Sequence, residues 1–182
     1  MRKILFAISI LSCFCFAECK KNKHSPPPDN PYGLPNATQE GKNTLGFLLN
    51  GEPWSPKGFN GTANLSIDVD FEYNRGVFGI AAYRILSSNN RQYFGFGISD
   101  SLNFLPVSQT AIINSASLGR MRFENSSCSY FSTDADILSK GSISVSKLDR
   151  VNRIIAGSFS GTLYKYGCDT IYITEGRFDM KF

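Results

Sequence analysis

The carboxylates of residues 65–73 are the first side chains whose types and spacing could support chemistry. Asp68, Asp70 and Glu72 alternate with apolar residues there, so on a β-strand they share one face. Neighbours on one strand face are about 7 Å apart, whereas the oxygens that bind a calcium ion lie within about 2.6 Å of it. A solvated sheet face is therefore favoured over a calcium site.

The rest of the sequence lacks the residue types of common catalytic centres. The single histidine, His24, precedes the predicted domain, which removes the usual general base and most zinc sites. No Gly-x-Ser-x-Gly elbow, phosphate loop or His-Glu-x-x-His motif occurs. Asp134 and Asp136 form a loop pair that could help to bind a cation, but polar loops are common. We predict a protein that is not an enzyme, with no catalytic residue, metal or cofactor.

Several aromatic residues could instead line a ligand-binding surface. Amphipathic rings stack on sugar faces, and the alternative for the same residues is core or cross-strand packing. The candidates are Trp54, Tyr93, Tyr164, Tyr166 and Tyr172.

Cys128 and Cys168 are the only cysteines of the predicted domain. In an oxidising compartment such a pair is most simply a disulfide, and the alternative is two separate buried thiols. By the chain-entropy model, a loop of about forty residues gives roughly 4 kcal/mol of stabilisation.

The elements that must position these residues all show the patterns of short strands. Asn50-Gly51 between apolar runs predicts a type I′ hairpin, which brings Trp54 back onto the first strand. Further strands are predicted at 65–73, 77–86, 91–98, 107–113, 119–124, 127–133 and 141–148, with three short runs in 153–182. No stretch shows a sustained helical period. The predicted fold is all-β, an antiparallel β-sandwich or flattened β-barrel of about nine or ten strands.

Two of these strands have faces of unequal character. Phe94, Phe96 and Ile98 share one face, while Gly95 and Gly97 leave the other face bare, so that a ring or a backbone can approach closely. In the last strand, the side chains of Phe178, Met180 and Phe182 are predicted to face away from those of Asp179 and Lys181.

The N-terminus has the pattern of a lipoprotein signal peptide, predicted to span residues 1–18. A short basic region precedes an apolar run at 4–16, which is too short for a permanent membrane helix. Cys19 is the predicted lipidated residue, although Glu18 occupies a position where such signals normally have a small residue. Cys13 is an alternative with a shorter apolar run, and an ordinary secretory signal is another.

Residues 19–43 are predicted to form a tether between the membrane and a single domain at 44–182. The tether holds five of the eight prolines, and Pro26-Pro27-Pro28 favours extended polyproline II geometry. Lys20 and Lys21 follow the predicted lipidated cysteine, which favours an outer-membrane lipoprotein that faces the periplasm. Without the leader, 17 basic and 14 acidic residues remain, a net +3, so nucleic acid is not an expected partner.

The chain resembles an uncharacterised family of Bacteroidota lipoproteins over residues 34–182. The residues that carry the resemblance are Leu34-Pro35-x-Ala37-Thr38-Gln39-x-Gly41-x-Asn43-Thr44, Leu49-Asn50-Gly51-x-x-Trp54, Arg153-Ile154-Ile155-x-Gly157-x-Phe159, Gly167-Cys168-Asp169-Thr170 and Thr174-x-Gly176-Arg177-Phe178-Asp179. Family members often have cysteine where this chain has Phe47, so a disulfide that uses this position is missing here. The resemblance implies a location in the cell envelope and a fold type, but no activity.

We expect a non-catalytic β-domain that is tethered to the membrane by its lipid and binds a ligand or another envelope protein. A structural or assembly lipoprotein that holds another envelope protein is the alternative. A carboxylate-based hydrolase is less favoured, because no catalytic group accompanies the carboxylates.

Overall fold

The computed structural model describes residues 30–107 and 109–182, which form an all-β domain. The predicted signal peptide, both candidate lipidated cysteines and residues 19–29 of the predicted tether lie outside these described residues. The strands are β1 (Thr44–Leu49), β2 (Glu52–Trp54), β3 (Leu65–Asp70), β4 (Val77–Ser87), β5 (Asn90–Ile98), β6 (Thr110–Ile113), β7 (Gly119–Glu124), β8 (Ser129–Phe131), β9 (Ile137–Asp149), β10 (Ile154–Lys165) and β11 (Ile171–Lys181). Two 3₁₀ turns, Tyr73–Arg75 and Leu102–Phe104, are the helical elements of this part of the chain.

All eleven strands belong to one continuous sheet that folds over on itself. Ten strands follow the order β2-β1-β11-β10-β9-β6-β7-β5-β4-β3, and β8 pairs with β7 beside this path. Neighbours are antiparallel except β6 and β7, which meet in parallel at Ile113 and Gly119. The two ends of the order do not hydrogen-bond to each other, so the sheet stays open. The predicted fold class is confirmed, with eleven strands where nine or ten were expected.

A core of phenylalanine side chains holds the two halves of the sheet together. Phe159 on β10 lies 4.3 Å from Phe96 and 5.4 Å from Phe94, both on β5, between ring centroids. Phe47 on β1 lies 4.5 Å from the Phe94 ring. Burial of such a side chain contributes about 1.5–3 kcal/mol, so this layer supplies much of the attraction between the halves.

The N-terminal hairpin forms as the sequence predicts. Asn50 and Gly51 have φ values of 51° and 87°, the positive angles that a type I′ turn needs. β2 therefore pairs with β1, and Trp54 lies opposite Phe47, with 4.7 Å between their ring centroids.

The strand predicted at 65–73 ends earlier, at Asp70. The Asp70 carboxylate accepts hydrogen bonds from the backbone N–H groups of Glu72 and Tyr73, at 2.8 and 3.1 Å. These bonds turn the chain into the 3₁₀ turn, because they give the backbone an alternative to the sheet. Glu72 thus leaves the strand, and the predicted three-carboxylate face holds only Asp68 and Asp70.

Four other predictions about strands need correction. The region predicted at 153–182 as three short runs forms two long strands, β10 and β11, whose pairing shifts register between Phe159 and Gly161. The strands predicted at 107–113 and 127–133 are shorter, and the one predicted at 141–148 is longer. Strand ends depend on pairing with distant segments, which a local pattern does not contain.

Residues 34–42, which were predicted to belong to the tether, lie against the domain. Leu34 is buried, and a strap formed by residues 38–42 is fastened to Asp179 of β11. The Asp179 carboxylate accepts hydrogen bonds from the Thr38 hydroxyl and from the N–H groups of Glu40, Gly41 and Lys42, at 2.5 to 3.2 Å. These residues therefore pack on the domain although they were assigned to the tether. They cover Asp179, which lies on the face of β11 away from the core residues Phe178 and Met180 and was expected to be solvent-exposed.

Candidate ligand-binding groove

An open groove of about 740 Å³ crosses the outer face of β3, β4, β5, β7 and β8. This volume lies within the range of about 300–1,000 Å³ that is typical of small-ligand sites. Its lining includes Ser66, Asp68, Gly79, Ala81, Tyr93, Gly95, Gly97, Arg120, Arg122 and Phe131. The groove lies on the side of the sheet opposite the phenylalanine core.

The floor of the groove is backbone, because small residues pair across its central strands. Gly79 of β4 lies opposite Gly97 of β5, and Ala81 lies opposite Gly95. A β-carbon built on Gly97 would lie 2.1 Å from the carbonyl oxygen of Phe78, so only glycine fits there. A β-carbon built on Gly79 meets nothing within 4 Å. The space above Gly79 is thus open, and a larger side chain at this position would occupy the groove.

The strand register places opposite charges at the two ends of one row across the floor. Asp68 pairs with Gly79, Gly79 with Gly97, and Gly97 with Arg120. Asp68 is exposed on the edge strand β3, and Arg120 is half-buried on β7. The row therefore runs from a carboxylate, over bare backbone, to a guanidinium.

Arg120 and Arg122 of β7 form a basic wall on one side of the groove, and the guanidinium of Arg122 is stacked between aromatic rings. The guanidinium carbon of Arg122 lies 4.5 Å from the centroid of the Tyr93 ring and 4.4 Å from that of Phe131. Arg122 also forms an ion pair with Glu124. Rings on both sides and a carboxylate partner restrict the Arg122 side chain, so this part of the wall is ordered before a ligand arrives.

Arg120 is held by the turn that precedes β7. Its Nη1 donates to the carbonyl oxygens of Ser117 and Gly119. Both bonds use one nitrogen, and guanidinium has five N–H donors. Among the described residues, Nε and Nη2 of Arg120 therefore keep donors for a ligand.

The first 3₁₀ turn borders the end of the groove beside β3 and β4. Tyr73 and Asn74 line the groove there, and the Asn74 side-chain amide donates to the carbonyl oxygen of Ser99 at 3.2 Å. Beside it, Arg75 forms an ion pair with Asp100 at 2.7 Å. The hydrogen bonds from Arg75 and Ser101 hold the pKa of Asp100 below its usual range. These contacts fasten the turn to the end of β5.

The five aromatic residues predicted as one ligand surface lie in three different places. Tyr93 lines the groove. Trp54 is fully buried in the core, where its Nε1 donates to Gln92 at 2.8 Å, so it is not a surface residue. Tyr164, Tyr166 and Tyr172 are exposed outside the groove, around the end of β10 and the start of β11. The surface predicted from these residues is therefore divided, and only Tyr93 reaches the groove.

The predicted disulfide between Cys128 and Cys168 is present. Their Cα atoms lie 6.3 Å apart, and the bond joins the start of β8 to the turn before β11. The Tyr130 hydroxyl donates to the carbonyl oxygen of Asp169 at 2.5 Å beside it. This link fixes β8, which carries the Phe131 ring of the groove.

The other acidic candidates do not gather into a metal site. Asp136 forms an ion pair with Lys165 at 3.3 Å, and Asp134 lies in the loop before β9. Within residues 30–107 and 109–182, no group of three or more His, Cys, Asp or Glu side chains could hold a metal ion. The helical turns in the same ranges are too short to cross a membrane.

Two groove residues, Arg120 and Arg122, were not among the ligand-surface residues predicted from the sequence. Arg120 and Arg122 alternate with Met121 and Phe123 in the predicted strand 119–124, so their shared outer face was visible in the sequence. The pairing of that strand with β5 was not visible, and this pairing brings the arginines to the glycine floor.

No protein-family model, no curated protein and no solved structure matches this chain. The candidate site therefore stands on the geometry described above.

Proposed function

We propose that this chain is a cell-envelope lipoprotein, anchored through a lipid on Cys19, whose β-domain binds a ligand without converting it. The groove over Gly79 and Gly97 is the observation that carries the proposal. It combines a concave volume, a floor free of side chains and walls of fixed polar and aromatic groups, as ligand sites do. The signal-peptide pattern and the resemblance to Bacteroidota lipoproteins support the location, which we place on the periplasmic side of the outer membrane.

We also propose that the domain does not catalyse a reaction of its ligand. Arg120, Arg122 and Asp68 can orient a ligand, but among the residues that the structure describes no histidine or paired carboxylate lines the groove to transfer a proton. Binding alone is the role that this set of side chains supports. The domain would then present or carry its ligand at the membrane to which it is tethered.

The direct test is to purify the full chain from its own host and to compare its native and denatured masses. We expect a discrete extra mass that is lost on denaturation, beyond the lipid at Cys19. Agreement of the two masses, apart from that lipid, would overturn the ligand-binding proposal. The intact denatured mass also shows whether Cys19 or Cys13 carries the lipid.

The alternative, a lipoprotein that holds another envelope protein, is favoured by a separate surface. Leu138 of β9 lies opposite Tyr164 of β10, and Tyr166 follows in the turn after β10. Tyr172 of β11 lies opposite Thr162 of β10. We call the exposed side chains of Leu138, Tyr164, Tyr166 and Tyr172 the apolar patch. Tyr166 is 90% exposed and Leu138 is 70% exposed. Patches of this kind mark protein contacts more often than chance. Crosslinking in intact cells that yields a reproducible partner, lost in the Tyr166→Ser variant, would favour this role.

A further inference from the structure

We propose that the ligand of the groove is a short zwitterionic molecule, of the length of a tripeptide with free termini. The proposal rests on the ligand-binding function and adds the chemical class of the ligand. Its amino group lies at Asp68, its carboxylate lies at Arg120, and its body crosses the floor between them.

The charge arrangement carries the inference. Asp68 and Arg120 end a single row whose two middle members, Gly79 and Gly97, have no side chains. A purely anionic ligand would place a like charge or no charge beside Asp68. A purely cationic ligand would place a like charge or no charge beside Arg120. A ligand with one charge of each sign satisfies both ends, and electrostatic complementarity of this kind sets orientation and register.

The distance between the two ends sets the length of the ligand. Neighbouring strands are about 4.8 Å apart, so three steps separate the Cα atoms of Asp68 and Arg120 by roughly 14 Å. A charge-assisted hydrogen bond of about 2.8 Å at each end takes up part of this gap, so the ligand itself is shorter. An extended chain spans at most about 3.6 Å per residue, so three residues cover roughly 11 Å and bring their termini to the two charged groups.

The floor suits the body of such a molecule. With no side chain on Gly79 or Gly97, an extended backbone or a small ring can lie flat on the sheet. Tyr93 and the stacked Arg122 border the next row, where Ala81 and Gly95 form the floor. Small side chains of the ligand fit over this second row.

The test is calorimetry of the full chain in detergent with trialanine, N-acetyl-trialanine and trialanine amide. The acetyl form lacks the amino charge and the amide form lacks the carboxylate. We expect trialanine to bind, and each blocked form to bind at least about tenfold more weakly, which is the loss of one charge-assisted hydrogen bond. Equal binding of the three forms, or no binding of trialanine, would overturn the inference.

Matched variants assign each charge to its partner. In Asp68→Asn, the free and the acetylated peptides should bind equally, and in Arg120→Gln the free acid and the amide should bind equally. If a variant no longer distinguishes the free peptide from the blocked one, the substituted residue interacts with the blocked terminus, because a general effect on the fold would weaken the binding of both peptides. Discrimination that persists in both variants would contradict the assignment. Thermal unfolding of each variant checks that the domain is intact.

The two proposals fail in distinguishable ways. If the host-purified protein carries a ligand but trialanine does not bind, the zwitterion inference is overturned while the ligand-binding proposal stands. If trialanine binds equally well to the Gly79→Leu variant, in which a side chain occupies the groove, the peptide binds elsewhere and the inference is also overturned. Binding that requires both charges and the open space above Gly79 supports it.

Discussion

At the scale of single residues, Asp179 shows how one carboxylate fixes a segment of chain. It is buried on β11 and accepts hydrogen bonds from Thr38 and from three successive backbone N–H groups, those of Glu40, Gly41 and Lys42. Burial alone would raise the pKa of Asp179, but the hydrogen bonds from Thr38 and these N–H groups outweigh it and hold the pKa below its usual range.

Replacing Asp179 should therefore destabilise the domain. In Asp179→Ala, the N–H groups of the strap lose their acceptor while still partly shielded from water. Hydrogen bonds to a charged group contribute about 1.5–3 kcal/mol, so we expect a loss of about 2–4 kcal/mol in the free energy of unfolding. Urea denaturation measures it. The exposed Asp68→Ala variant, which serves as the matched control, should change stability by no more than about 0.5 kcal/mol.

The same carboxylate predicts a dependence of stability on pH. The folded-state pKa of Asp179 is depressed, so the unfolded state binds more protons at acid pH. Its contribution is complete above the unfolded pKa, about 3.9, and is lost as the pH falls through the folded pKa. Below about pH 4, the stability of the wild-type chain should fall more steeply than that of Asp179→Asn. Parallel urea curves for the two proteins over this range would contradict the account.

Gly97 and Gly79, which lie opposite each other on the groove floor, should differ in how well they tolerate a side chain. In Gly97→Ala, the new β-carbon would collide with the backbone of β4, at 2.1 Å from the Phe78 oxygen. Overpacking of this kind costs about 1–3 kcal/mol, whereas Gly79→Ala meets open space and should change stability by no more than about 0.5 kcal/mol. Thermal unfolding of the two variants compares them. Equal effects would mean that the floor of the groove is not closely packed.

At the scale of elements, the disulfide joins two parts of the sheet that are distant in sequence. Cys128 precedes β8 and Cys168 precedes β11, with a sequence separation of 40 residues. The double variant Cys128→Ala/Cys168→Ala should lose about 4 kcal/mol in the free energy of unfolding. Chemical denaturation measures this loss, and reductant added to the wild-type chain is the matched control. An unchanged midpoint in both would show that the link adds no stability.

The elements also show what a sequence can predict. The hairpin at Asn50-Gly51 and the alternation in β5 and β7 depend on neighbouring residues, so they were predicted correctly. The strap and the burial of Asp179 depend on hydrogen bonds across 137 to 141 residues, which a local pattern does not contain. The bare face of Gly95 and Gly97 was predicted as well. The residues that surround this face were not predicted, because the strand order β4-β5-β7 brings Gly79, Arg120 and Arg122 beside Gly95 and Gly97 only in the folded sheet.

At the scale of the whole molecule, the folded sheet separates two outer faces. The strap lies on the face of β9, β10 and β11, where Gln39 contacts Ser146 at 3.2 Å. The groove lies on the face of β3, β4, β5, β7 and β8, on the other side of the phenylalanine core. Substitutions at Asp68, Gly79 or Arg120 should therefore leave the strap and the core intact. This separation allows binding to be tested without loss of the fold.

The measurement that tests the central claim most directly is the native mass of the Gly79→Leu variant, purified from the host beside the wild-type chain. A β-carbon at this position meets nothing within 4 Å, so a leucine side chain there would extend into the groove. The matched control is Thr174→Leu, at an exposed strand position outside the groove. We predict that the wild-type and control proteins carry an extra mass that is lost on denaturation, and that Gly79→Leu lacks it. An extra mass that persists in a folded Gly79→Leu protein would contradict the claim that the groove is the binding site.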